Sequence, residues 1–247
     1  MIDSVKLERF LRLLSAVNQE IHRSEFLLLD WDDPKFYWIF KNCDFMTWNS
    51  SKAPVLWLLG PTDCGIDQIS SKIVSLEMDA TSQSEGFVLY FFCSTRSTIT
   101  IFIHTFLHQF ISYLPPDKQR AAIRAFLLIL LDKQKPLCFQ DEDYFSDTML
   151  KQIIHAPNSK LWDALRAALD VEKEQNLSII IDGLDKVEKQ QPEFIKGLQE
   201  LVAYLLKRRL KPKVLLTSRS QVDGQEILHG LLCIEYDKER RGLIFKL

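Results

Sequence analysis

The segment PVLWLLGPTDCGIDQISSKIV, residues 54–74, passes from an apolar stretch into Gly60, reaches a second glycine at Gly65, and continues as an amphipathic run. That is the frame of a phosphate-binding loop, G-x-x-x-x-G-K-[ST], in its strand–loop–helix setting. Such a loop works because backbone N–H groups and a helix N-terminus converge on an anion. Its lysine reaches the β- and γ-phosphates, and its hydroxyl helps hold Mg²⁺. Here Ile66 stands in the lysine position and Asp67 in the hydroxyl position. Two glycines at this spacing are weak evidence by themselves, and chance is the better account of them. The candidate contacts Gly60, Thr62, Asp63, Cys64, Gly65, Ile66 and Asp67 therefore gain weight only from two segments further along the chain.

The first is SIIIDGLDK. It places Asp182 at the end of a β-branched run, where a Mg²⁺-supporting acid is required, with Asp185 one short turn on. The plain alternative is that Asp-Gly closes many strands because the pair makes turns. The second is KVLLTSRS, which ends in Thr217, Ser218 and Arg219, and ligand contacts in open α/β sheets gather at the carboxyl ends of strands. Other constellations carry less. His104 and His108 have a zinc-chelating spacing but no evident third ligand, so they are expected to be core or surface residues. KRRLKPK at 207–213 is expected to close a helix and complement its dipole rather than act as an address. No G-x-S-x-G or Cys/His arrangement points to a hydrolase.

The elements that must position these residues are legible from periodicity. Hydrophobic residues make up 47% of the 247, enough for a sizeable core, and the net charge of −2 calls for neither nucleic acid nor an anionic membrane. The longest apolar runs, AFLLILL and FVLYFFC, are far short of a membrane span. The charged N-terminus does not resemble a signal peptide, and five cysteines without a C-x-x-C pair suggest reduced thiols in the cytoplasm. Leu7, Phe10, Leu11, Leu14, Val17 and Ile21 predict one amphipathic helix over 5–22. An aromatic-rich connector comes next, whose rings are expected to fill the core. Helices are expected over STITIFIHTFLHQFISYL, after Pro115-Pro116, over SKLWDALRAALDVEKEQ with Ser159 as N-cap, and over 192–209. Loops around a short helix are expected over 134–158. Strands are expected at VLWLL, GFVLYFFCS, LSIIID, KVLLTS and LLCIEYD, and continuous apolar runs of this kind imply parallel strands buried on both faces.

The ordered set resembles a known family, the fungal NACHT-type members of the STAND P-loop NTPases, described as having a nephrocystin-3-like N-terminal domain. The likeness covers roughly residues 36–220 and rests on YWIF before the loop, LWLLG, YFFCS, STITIFIHTFLHQF, LWDALRAAL, IIIDGLD and LLTSR. It implies a three-layer P-loop NTPase-like α/β fold, a parallel sheet with helices on both faces, preceded here by an N-terminal helix. It also implies that the LLTSR strand lies between the P-loop strand and the Walker B strand. Relatives are nucleotide-controlled switches that carry an effector domain before this module and repeats after it. The expected organisation is a helical extension over 1–35 and the NACHT-like domain over 36–247, without the C-terminal lid and repeats.

The departures bear on function. Relatives read G-K-[ST] where this chain has Gly65-Ile66-Asp67, and D-x-x-D-E where it has Asp182, Asp185 and then Lys186. Losing the lysine removes a charge-assisted hydrogen bond of roughly 1.5–3 kcal/mol. Asp67 adds a like charge near a triphosphate, and at a helix start its carboxylate can satisfy free N–H groups itself. The expectation is a degenerate module acting in binding or regulation, with protein partners, without efficient hydrolysis, and at most weak ATP or GTP binding with Mg²⁺. Asp182 and Asp67 are the candidate metal ligands, Asp185 the only candidate catalytic acid, and Arg219 a candidate phosphate contact. The alternatives are a STAND switch that binds and slowly hydrolyses ATP or GTP, and a truncated relic without function.

Overall fold

The computed structural model describes residues 4–14, 19–27, 37–61, 64–82, 86–131, 147–172, 176–187, 191–207, 212–219, 232–237 and 242–245. In chain order the elements begin with helices α1 (Ser4–Leu14), α2 (Gln19–Leu27), α3 (Tyr37–Phe40) and α4 (Cys43–Asn49). Strand β1 (Val55–Leu59), helix α5 (Ile66–Ser82) and strand β2 (Gly86–Phe92) come next. Helices α6 (Ile99–Tyr113), α7 (Pro116–Leu130), α8 (Asp147–Ile154) and α9 (Asn158–Leu169) then precede β3 (Asn176–Asp182). A 3-10 turn (Leu184–Lys186), α10 (Gln191–Lys207), β4 (Pro212–Ser218), β5 (Leu232–Asp237) and β6 (Gly242–Phe245) complete the described chain. These elements fall into two compact units, one of residues 1–17 and 98–173, the other of residues 18–97 and 174–247.

The second unit contains the sheet, in the order β2-β3-β4-β1-β5-β6. The first five strands are mutually parallel, as the unbroken apolar runs predict, and only β6 runs antiparallel, along β5. Strand β4, the LLTSR strand, lies between β1 and β3 as the resemblance implies. Parallel register brings Leu56, Leu215, Ile180 and Tyr90 to one face. Ile69, Ile73 and Val74 of α5 pack there with Ile39, Phe45 and Trp48 of α3 and α4, so Phe45 and Trp48 of the aromatic connector fill the core, while its residues 28–36 lie outside the described residues. Residues of the opposite parity, among them Trp57, Phe91, Ile181 and Leu216, are buried too. The fold is α/β, a parallel sheet with helices around it.

The described elements of the first unit are helices. Thr98 caps α6 by accepting from Ile101 N–H, and Pro116 opens α7 at its first turn, where a missing N–H is harmless. Phe10 of α1 meets Phe126 of α7 edge-on at 6.5 Å, and Phe102 of α6 meets Trp162 of α9 at 5.5 Å. No described helix is long and apolar enough to cross a membrane.

Three expectations need correction. The single helix over 5–22 is two helices, α1 and α2, and they belong to different units. Ile21, on the predicted apolar stripe, is 55% exposed, while polar Gln19 is buried with its Oε1 accepting from Phe92 N–H at 2.6 Å. A strand-end donor wins over the apolar period here, because a buried N–H must be paired. Ser159 lies inside the first turn of α9, whose N-cap is Pro157 with no side-chain cap bond. Of the basic run at 207–213, Lys207 does end α10, but Lys213 lies in β4 and bonds Glu77 of α5.

Candidate functional site

The site grows from the loop between β1 and α5. Gly60 N–H donates to Ser218 C=O at 3.2 Å, tying the end of β1 to the end of β4. Cys64 N–H donates to Pro61 C=O at 3.1 Å, and Gly65 C=O accepts from Ile69 N–H at 2.9 Å to start α5. Gly65 has φ +80°, a left-handed conformation that disfavours any residue with a Cβ. Ile66 is buried, 5% exposed, and belongs to the core. Thr62 and Asp63 lie outside the described residues.

The centre of the site is Asp182, at the end of β3 and 1% exposed. Its Oδ1 accepts from Ser70 Oγ, one turn into α5, and from Thr217 Oγ1 at the end of β4, each at 2.7 Å. Thr217 Oγ1 also accepts from Gly183 N–H at 3.0 Å. Burial pushes the Asp182 carboxyl up to about 6, and the neighbouring Asp67 charge pushes the same way. Lys186 and the two hydroxyls oppose them. Lys186 Nζ stands 4.0 Å from Asp182 Oδ2 and 3.9 Å from Asp67 Oδ1. Arg219 brings its guanidinium to 3.5 Å from Asp67 Oδ2, while its backbone N–H donates to Asp185 Oδ1 at 2.9 Å. Burial raises the Cys93 thiol well above its usual range, reinforced by Asp182, so it is no thiolate nucleophile.

Gly60, Gly65, Asp67, Asp182, Asp185 and Arg219 therefore meet at the carboxyl ends of β1, β3 and β4, beside the first turn of α5. The Asp67 carboxylate, expected at the free N–H groups of its own helix, faces Lys186 and Arg219.

Residues 35–219 match the family described as Nephrocystin 3, N-terminal. The chain belongs to this family. No curated protein and no solved structure matches it. The matched span begins just before α3 and ends at Arg219, so this nephrocystin-3-like, NACHT-type stretch contains every candidate site residue.

Sequence reasoning misses Ser70 and the central place of Lys186. The one signal for Ser70 is its position one turn after Asp67, on the face of α5 that meets the sheet, and Lys186 reads in the sequence only as a lost acid. Among the described residues no three His, Cys, Asp or Glu side chains gather into a metal set. His104 is buried and held neutral, its imidazole brought down to about 4 by desolvation. Mg²⁺ fits the donor set poorly. It takes oxygen ligands, mostly waters with one or two carboxylates, in an octahedral shell at roughly 2.0–2.1 Å, and here the Asp67 and Asp182 carboxylates already face the Lys186 ammonium. A nucleotide would lack the loop lysine, since residue 66 is a buried isoleucine.

Proposed function

We propose that this chain is a degenerate NACHT-like P-loop module, residues 36–247 behind a helical extension of 1–35, that acts through binding and regulation without efficient nucleotide hydrolysis. The carrying observation is the charge arrangement at the loop. The lysine position holds buried Ile66, and the hydroxyl position holds Asp67, engaged by Lys186 and Arg219. A triphosphate approaching α5 meets a carboxylate where relatives present a hydroxyl. Regulation of this kind implies protein partners, and the cytoplasm is the matching compartment. A second reading, a switch that binds and slowly hydrolyses ATP or GTP, draws support from Asp182 and its two hydroxyl partners beside the Gly60–Gly65 loop.

Calorimetric titration of the purified chain with Mg-ATP and Mg-GTP separates the two. The expected dissociation constants are about millimolar or weaker, roughly −4 kcal/mol. A micromolar constant overturns the proposal in favour of the switch.

A further inference from the structure

The two carboxylates of this centre share one ammonium, and the backbone steers it there. Lys186 N–H donates to Gly183 C=O at 2.9 Å, so the 3-10 turn brings residue 186 back over residue 183. Gly183 has φ +73°, and a Cβ built on it would lie 3.0 Å from Lys186 Cε and Nζ and 3.1 Å from Cδ. Any residue but glycine would be strained there and would fill the space in which the lysine stem runs. Gly183 is in turn bonded to Thr217, whose hydroxyl donates to Asp182. The ammonium at 3.9 and 4.0 Å from the two carboxylates is thus a product of the turn.

We propose that Lys186 is the resident cation of this centre: its tethered ammonium faces both Asp67 and Asp182, together with the Arg219 guanidinium beside Asp67 it offsets their two charges, and it makes the centre indifferent to Mg²⁺. Lys186 and Asp67 each keep 24% of their side-chain exposure, so solvent ions can reach the centre and their exclusion is electrostatic. Like charges repel strongly at this range in a partly buried setting. The inference concerns metal in the absence of nucleotide and stands whether or not the chain binds ATP. It assigns Lys186 a role opposite to that of the acid that relatives carry there: it supplies charge to the carboxylates and does not activate water.

The test uses the full chain, with Mn²⁺ binding followed by electron paramagnetic resonance and melting temperature followed with and without Mg²⁺. The parent is expected to bind no Mn²⁺ at this centre and to melt at the same temperature in either condition. Lys186→Met keeps the stem and removes the charge. It is expected to bind one Mn²⁺ per chain at least about tenfold more tightly than the parent, and to melt higher in Mg²⁺. Adding Asp67→Asn should abolish the gain. Lys186→Gln serves as the second variant if the methionine variant does not fold. Binding of Mn²⁺ by the parent as tightly as by the variants overturns the proposal, as do folded Lys186 variants that gain no affinity. Tight Mg-ATP binding by a parent that ignores the metal alone would end the functional proposal above and leave this one standing.

Discussion

Helix α5 crosses one face of the sheet between two polar clusters, and the two are closed to different degrees. Towards its far end, Glu77 accepts from Ser178 Oγ at 2.5 Å and from Lys213 Nζ at 2.6 Å. Lys213 also donates to Asn49 at 3.1 Å and lies 4.7 Å over the Trp48 ring. At its first turn, hydroxyls reach Asp182 at 2.7 Å, but the cations Lys186 and Arg219 stop 3.5–4.0 Å from their carboxylates. The placement is parallel. Ser178 and Asp182 share a face of β3, Lys213 and Thr217 a face of β4, and Ser70 and Glu77 lie two turns apart. Ile73, Val74, Ile180 and Leu215 fill the space between. One helix-on-sheet contact thus carries a satisfied ion pair at one end and a partly open charge cluster at the other. The difference is how closely the cation approaches its carboxylate, 2.6 Å at one end and 3.5–4.0 Å at the other.

The largest effect should come from breaking the closed cluster. Glu77→Ala leaves the mostly buried Lys213 ammonium without its carboxylate and is expected to cost about 3–5 kcal/mol in denaturant unfolding. A loss under about 1 kcal/mol would show that the two clusters are equivalent.

The pH dependence of stability separates Asp182 from a group in the other unit. Asp182 keeps its proton in the folded state up to about pH 6, whereas the unfolded chain releases it near pH 3.9. Stability from this group is therefore fully present below about pH 4 and lost as pH rises to about 6, in all about 2–3 kcal/mol. His104 works the other way, because the folded state binds its proton only near pH 4 and the unfolded chain already near pH 6.5. Its contribution falls as pH drops through that window. The two slopes are opposed between pH 4 and 6, so relative to the parent Asp182→Asn should rise more steeply with pH and His104→Leu less steeply. Chemical unfolding across this range checks it, and parallel profiles for the two variants would refute the assignments.

Ile66→Lys with Asp67→Ser restores the loop's cation and hydroxyl and frees Lys186 and Arg219 from their shared carboxylate. ATP affinity should rise by about one to two orders of magnitude, roughly 1.4 kcal/mol for each. Hydrolysis should not accompany it while Lys186 holds the position of the second acid. An unchanged affinity by calorimetry would mean that the loop backbone no longer cradles phosphate.

The smallest effect belongs to Arg219→Ala. Its guanidinium is partly exposed and 3.5 Å from Asp67, so unfolding stability should change by less than about 0.5 kcal/mol. A loss comparable to that of Glu77→Ala would remove the contrast between the clusters.

The sequence by itself determined the parallel strands β1 to β5 and the places where chemistry gathers, but not β6, which pairs antiparallel with β5. Apolar runs of strand length, a helix stop at Pro115-Pro116, and Gly65 before an amphipathic stretch are local signals, readable because the side-chain periods of strand and helix are local properties. An acid at the end of a strand, Asp182, is local in the same sense. What sits beside that acid is not. Ser70 is 112 residues away and Thr217 is 35, and they meet only because β3, β4 and the first turn of α5 come into register. The same holds for Gln19 at the end of β2 and for Glu77 with Lys213. Lys186 shows the limit most plainly. Its residue type is visible in the chain, but its position between two carboxylates depends on a left-handed glycine, a 3-10 turn and the approach of α5. Pairing between distant polar groups is set by packing geometry, which no local period encodes.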